Sequence, residues 1–135
     1  MGRLIDTSIF IESERGHLDL GPHVTAHGDD GIFMSVITAS ELLHGVHRAR
    51  PELKSSRSET VEGWIEQFRL LEIDLPTART HARLFSDLRS SGQMIGVHDM
   101  WLAATCLTYD LKMVTANLRE FKRVNGLEVE DWSQR

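Results

Sequence analysis

Apolar and polar positions follow two rhythms along this chain. Short apolar runs close on acids or hydroxyls, and between them apolar residues recur every three or four positions. Arg3 to Thr7 reads as a short strand with Asp6 at its end, followed by a helix from Ser8 to Arg15 with Thr7 or Ser8 as N-cap. Gly16 to Gly31, broken by Gly21, Pro22 and Gly28, leaves room for a short helix. Ile32 to Val36 is a second strand. Thr38 with Glu41 three residues on has capping-box spacing and predicts a helix from Ala39 to Arg50, stopped by Pro51. Val61, Trp64, Ile65, Phe68 and Leu71 share one face of a long helix. Leu70 to Leu75 is a third strand. Pro76 then opens a helix with Ala78, Ala82, Phe85 and Leu88 as its buried stripe and Gly92 as its end. A helix from Asp99 to Tyr109, with Trp101, Leu102, Thr105, Cys106 and Tyr109 inward, precedes a fourth strand, Lys112 to Thr115. Asn117 to Phe121 is a helical turn and Leu127 to Val129 an edge strand. Strands alternating with helices predict an α/β fold with a mainly parallel central sheet. The 135 residues suit one domain, 1–135, around one core.

Composition changes this picture little. With 41% hydrophobic and 26% charged residues, a disordered or collagen-like chain is excluded. No apolar run approaches the ~18–20 residues of a membrane span. The start, Met1 to Asp6, meets an acid after two apolar residues and does not read as a signal peptide. Cys106, the single cysteine, has no partner for an internal disulfide, so a reduced, cytoplasmic compartment is expected. Charge matters more. Fifteen Lys and Arg against twenty Asp and Glu give a net −5, which does not favour nucleic-acid binding through overall charge. Carboxylates gathered to hold a divalent cation would lower the total without repelling a phosphate.

Four positions carry candidate chemistry. Asp6 ends the first strand, Glu41 lies in the helix after the second, Asp99 opens a helix, and Asn117 follows the fourth strand. Parallel sheets bind ligands beyond the carboxyl ends of their strands. Asp6, Asp99 and Glu41 as metal ligands, with the Asn117 amide beside them, form a hard-oxygen set. Such a set suits Mg²⁺ or Mn²⁺ better than Zn²⁺. An ion of this kind activates water for phosphodiester hydrolysis. Each residue also has a plainer role: Asp6 and Asp99 as helix caps, Glu41 as a capping-box acid, Asn117 in a turn. Basic residues cluster at Arg48, Arg50, Lys54 and Arg57, at Arg79, Arg83 and Arg89, and at Arg119, Lys122 and Arg123. They read either as solvated faces or as phosphate-positioning groups. Glu41 and His44 form half of a di-iron pattern that lacks its second copy. His98 and Asp99, as helix neighbours, face different ways and do not make a dyad. No two glycines stand two apart, which excludes a GxGxxG loop.

At these residues the sequence resembles the PIN-domain ribonucleases of the VapC toxin type. The matching stretches are Leu4-Ile5-Asp6-Thr7-Ser8, Ser40-Glu41-Leu42-Leu43-His44-Gly45-Val46, Ile95-Gly96-Val97-His98-Asp99 with Leu102-Ala103-Ala104-Thr105, and Val114-Thr115-Ala116-Asn117 with Glu120-Phe121 and Val124-Asn125-Gly126-Leu127. They fall in family order over nearly the whole chain. The resemblance implies a three-layer α/β/α sandwich and a Mg²⁺- or Mn²⁺-dependent endoribonuclease acting as the toxin of a type II toxin–antitoxin pair. It places Asp6, Glu41 and Asp99 in the acidic site and Asn117 at a fourth position that is acidic in many members, with Glu120 available to compensate. Thr7 and Ser8 match residues that support the first Asp, and Thr115 one that orients a ligand or water. It further implies a transfer or ribosomal RNA substrate, a homodimer, and a cognate antitoxin that brings a basic side chain to the acidic pocket. Two other readings compete. One is a PIN-like module that binds RNA or a protein without cutting, motivated by the amide at Asn117. The other is an aspartyl phosphatase, which needs an acid where Ser8 stands.

Overall fold

The apolar runs become the strands of one sheet. In the computed structural model, which describes residues Met1 to Ser133, the strands are β1 (Arg3–Ile5), β2 (Ile32–Ser35), β3 (Arg69–Leu71), β4 (Lys112–Val114) and β5 (Val129–Glu130). They lie in the order β3-β2-β1-β4-β5, and every pairing is parallel. The helices are α1 (Thr7–Glu14), α2 (Leu20–His27), α3 (Val36–His47), α4 (Pro51–Gln67), α5 (Leu75–Ser90), α6 (Val97–Tyr109) and α7 (Leu118–Phe121). None is long and apolar enough to cross a membrane.

Strand side chains alternate between two cores, as a period of two requires. Ile5, Met34 and Val114 point to one side, where Phe10, Leu42, Val46, Val61 and Phe68 cover them. Leu4 and Met113 point to the other, under Leu84, Leu88, Met100, Leu102, Cys106 and Phe121. Helices therefore cover both faces of the sheet, giving the expected three layers. On the first side Phe10 packs tilted against Trp64 at 5.0 Å and edge-on to Phe68 at 5.4 Å, arrangements that aromatic quadrupoles favour.

The sheet is laced at its start. Arg3 is buried, and its guanidinium donates to Glu130 at 2.9 and 3.0 Å and to Asp30 at 3.2 Å. Those bonds pull the Glu130 carboxyl down to about 2 against its partial burial. Trp132 follows, buried and stacked on His23 at 4.7 Å.

Several boundaries differ from the sequence reading. α3 starts at Val36, because Ser35 ends β2 and caps the helix at once, its Oγ accepting from the Ile37 N–H at 3.1 Å. Thr38 and Glu41 are thus interior helix residues and no capping box exists. Ser35→Ala is expected to cost about 1 kcal/mol, the usual value of an N-cap, read as a lower denaturant midpoint at unchanged slope. Pro51 starts α4 as its first residue instead of merely ending α3. The chain leaves α4 at Phe68, so β3 begins early and Leu71 belongs to the strand. α5, capped by Asp74, buries Thr77, Leu84 and Leu88, while Ala82 and Phe85 are exposed. The cap sets the helix phase, and one rotation step moves the apolar stripe. On α6, Met100, Ala103 and Ala104 are buried with Leu102, Thr105 and Cys106, whereas Tyr109 reaches the surface and donates to Asp74.

Candidate active site

The carboxyl ends of β1 and β4 build the centre of the site. Asp6 follows β1 directly, and its N–H donates to the Val114 carbonyl at 2.8 Å. It occupies the N-cap position of α1, yet its side chain makes no capping bond. Instead its Oδ2 accepts from Ser8 Oγ at 2.7 Å and Thr115 Oγ1 at 2.8 Å. Each hydroxyl is held in turn by a backbone donor, Ser8 by the Ala116 N–H at 3.0 Å and Thr115 by the Asn117 N–H at 2.9 Å. Asp6 is 5% exposed. Burial raises its pKa, the two hydroxyls work against that, and the charge of Glu41 adds to the rise.

Glu41 reaches the same region from α3. Its Oε1 accepts from Thr7 Oγ1 at 2.7 Å, and Thr38 stands behind that hydroxyl at 3.3 Å. Its Oε2 faces His98 Nδ1 at 3.2 Å. His98 thus pairs with Glu41 and not with its neighbour Asp99, as the helix geometry predicts.

Asp99 sits in the first turn of α6, whose N-cap is Gly96. Its carboxyl is pushed up to about 7, by burial first and then by the charges of Asp6, Glu120 and Glu41. Glu120, in α7, meets it. Glu120 Oε1 accepts from the Gly96 N–H at 2.6 Å and Oε2 from Asn117 Nδ2 at 2.7 Å. Its pKa is lowered: partial burial opposes this, but the bonds from Gly96, Asn117 and Asp99 prevail. At Gly96 a Cβ would stand 3.3 Å from Asp99 Oδ2 and 3.5 Å from Glu120 Oε1, so glycine lets the chain pass close by two carboxylates.

Asp6, Glu41 and Asp99 therefore come together, and Asn117 joins them through Glu120. The pairing of Asn117 with Glu120 has a sequence signal, an amide and an acid three apart on one helical turn, which favours Glu120 as the fourth acid. Glu41, Gly96, Val97, His98 and Asp99 line an open cleft of about 320 Å³. The basic clusters are mixed. Arg119, Lys122 and Arg123 are exposed beside Glu120, Arg123 donating to the Met94 carbonyl at 2.7 Å, whereas Arg57 is paired with Glu14 at 3.0 Å. Cys106 is fully buried, its thiol pushed up chiefly by that burial.

The donor set is four carboxylates, and among the described residues no Lys or Arg lies within ion-pair distance of them. Such hard oxygens and unbalanced charge fit a divalent cation. Among the described residues no three side chains converge closely enough to ligate one ion by themselves. A hydrated cation such as Mg²⁺ or Mn²⁺, held in part through its own waters, is the kind of group these carboxylates would take.

The family model described as PIN domain matches residues 3–127. "Ribonuclease VapC1" of Rickettsia felis is 36% identical over 130 residues, covering 96% of this chain and 95% of that protein. "tRNA(fMet)-specific endonuclease VapC" of Shigella flexneri is 30% identical over 74% of each. Among solved structures, DNA-bound VapBC from Salmonella typhimurium superposes with a TM-score of 0.90 at 26% identity, covering 98% of both chains.

Proposed function

Because the chain belongs to the PIN-domain family and is related along nearly its whole length to VapC ribonucleases, we propose that it is a Mg²⁺- or Mn²⁺-dependent endoribonuclease, the toxin of a toxin–antitoxin pair. The observation that carries this reading is the meeting of Asp6, Glu41, Asp99 and Glu120 at the carboxyl ends of the strands. Asp6 and Asp99 would hold the ion, directly or through its waters. Glu41, fixed by Thr7, would orient the attacking water. Asn117 and the Gly96 N–H keep Glu120 turned towards Asp99. When bound, the ion supplies an acidified water and positive charge against the departing oxygen. Arg119 and Lys122, exposed and near Glu120 in sequence, would supply the charge that meets phosphates flanking the cut, so binding is expected to fall with added salt.

The substrate class is RNA, and a transfer RNA is the first to try, since the Shigella relative is named for one. The partners are an antitoxin bearing a basic side chain, suited to the net −5, and a second copy of the chain. The non-cleaving alternative drew on the amide at Asn117. Glu120 beside it supplies the fourth carboxylate, which removes that motive.

The test is cleavage of bulk transfer RNA by the purified protein. Cutting is expected with Mg²⁺ or Mn²⁺, with none in EDTA, and restored by excess Mg²⁺. Undiminished cutting in EDTA, or intact RNA at saturating Mg²⁺ and Mn²⁺, would overturn the reading.

A further inference from the structure

Glu41 is met from two other elements: Thr7 Oγ1 donates to its inner oxygen at 2.7 Å, and His98 Nδ1 lies 3.2 Å from its outer oxygen. The inner grip comes from α1. The outer one comes from the first turn of α6, one residue before Asp99. The same turn thus sets the position of two carboxylates that lie on different helices.

This contact is a poor device for stability. The imidazole is 54% exposed and the carboxylate 31%, and surface pairs of this kind contribute little to folding. It is a better device for order. A glutamate loses much rotamer freedom when fixed, and a cation site that must arrange that side chain on binding loses affinity accordingly. Partners behind a ligand commonly govern metal affinity in this way. Nδ1 stands 3.2 Å from Oε2, so the ring limits where that carboxylate oxygen can lie.

We propose that His98 is a positioning residue that holds Glu41 ready at the cleft, so that α3 and α6 present their carboxylates to a hydrated divalent cation as one prearranged set. This rests on the reading of the site as metal-dependent. His98 does not touch the ion and does no acid–base work. It fixes where the Glu41 carboxylate stands when the ion arrives.

The experiment titrates full-length wild type, His98→Ala and His98→Asn with Mn²⁺, following the free ion by electron paramagnetic resonance, and measures kcat and KM for RNA on the same preparations. His98→Ala is expected to raise the half-saturating Mn²⁺ concentration about tenfold, the low end for loss of such a partner. It should lower kcat with little change in KM and leave the metal-free melting temperature within error. His98→Asn, whose amide nitrogen lies near the place of Nδ1, is expected to restore most of both. The inference is overturned if His98→Ala binds Mn²⁺ as wild type does, or if His98→Asn is no better than His98→Ala. If the wild type itself neither takes up Mn²⁺ nor cleaves RNA, the metal-dependent reading falls and this inference with it. Wild-type cleavage alongside an unaffected His98→Ala rejects this inference alone.

Discussion

Asp99→Asn is expected to abolish RNA cleavage while making the metal-free protein more stable at neutral pH. Both effects have one origin. The Asp99 carboxyl is half-buried beside Asp6, Glu120 and Glu41, and its pKa stands at about 7. Its pKa is higher in the folded than in the unfolded chain, so the folded state binds the proton more tightly. Below about pH 4 both states are protonated and the group is neutral to stability. As pH rises the unfolded chain ionises first, so the folded state loses ground until about pH 7 and carries the full cost above it. The rise from an ordinary carboxyl to about 7 corresponds to roughly 4 kcal/mol at full value. Solvent screening of a half-exposed group brings the expected gain in Asp99→Asn to about 1–2 kcal/mol at pH 8, or about 4–8 °C in melting temperature. The gain should shrink through pH 6 and vanish near pH 4. Excess Mg²⁺ should stabilise the wild type by mass action and the variant much less. Cleavage should fall roughly 10³-fold or more, the scale of losing several kcal/mol of metal-borne charge stabilisation. A variant no more stable than wild type at pH 8, or one that still cuts, would contradict the account.

Glu120→Gln is expected to reduce cleavage about 10²-fold or more, against about tenfold for Asn117→Ala. Glu120 brings a charge next to Asp99, whereas Asn117 acts by holding Glu120 through Nδ2 at 2.7 Å. Losing the charge removes a donor from the ion's surroundings; losing the amide only loosens it, the smaller effect usual for a supporting group. Single-turnover rates at several Mg²⁺ concentrations separate the two cases. High Mg²⁺ should rescue Asn117→Ala in large part and Glu120→Gln poorly. Equal losses would return the fourth position to Asn117.

Sequence reasoning reached Asp6 because an apolar run stops on an acid there, whereas Glu41 and Asp99 were singled out by their places on helices and by the family resemblance. It described their surroundings less well. The capping-box reading of Glu41 failed because Ser35, still within the apolar run, was the true cap. Once α3 starts at Val36, Glu41 has no local backbone duty and its bond to Thr7 stands out. Asn117 was named from its place after the fourth strand and from the resemblance, with Glu120 available to compensate; Glu120, one helical turn later, reaches back to both Asn117 and Asp99. The stripe of α5 was misread because Ala82 and Phe85 have a helical spacing as good as that of Leu84 and Leu88, and only the cap at Asp74 fixes the phase. The pairing of His98 with Glu41 joins helices 57 positions apart (98 − 41), a distance over which no local pattern operates.

The central strand has a consequence for the newborn chain. β1 is made first, but one of its two neighbours in the sheet is β4, and Thr115, which holds Asp6, lies 109 positions later. Until that stretch has left the ribosome, Asp6 has Ser8 beside it but lacks both Thr115 and the carboxylates of α6 and α7. A chain that has reached only as far as α5 therefore holds no assembled carboxylate cluster, and docking the later elements onto the far side of β1 is the step that completes the proposed site.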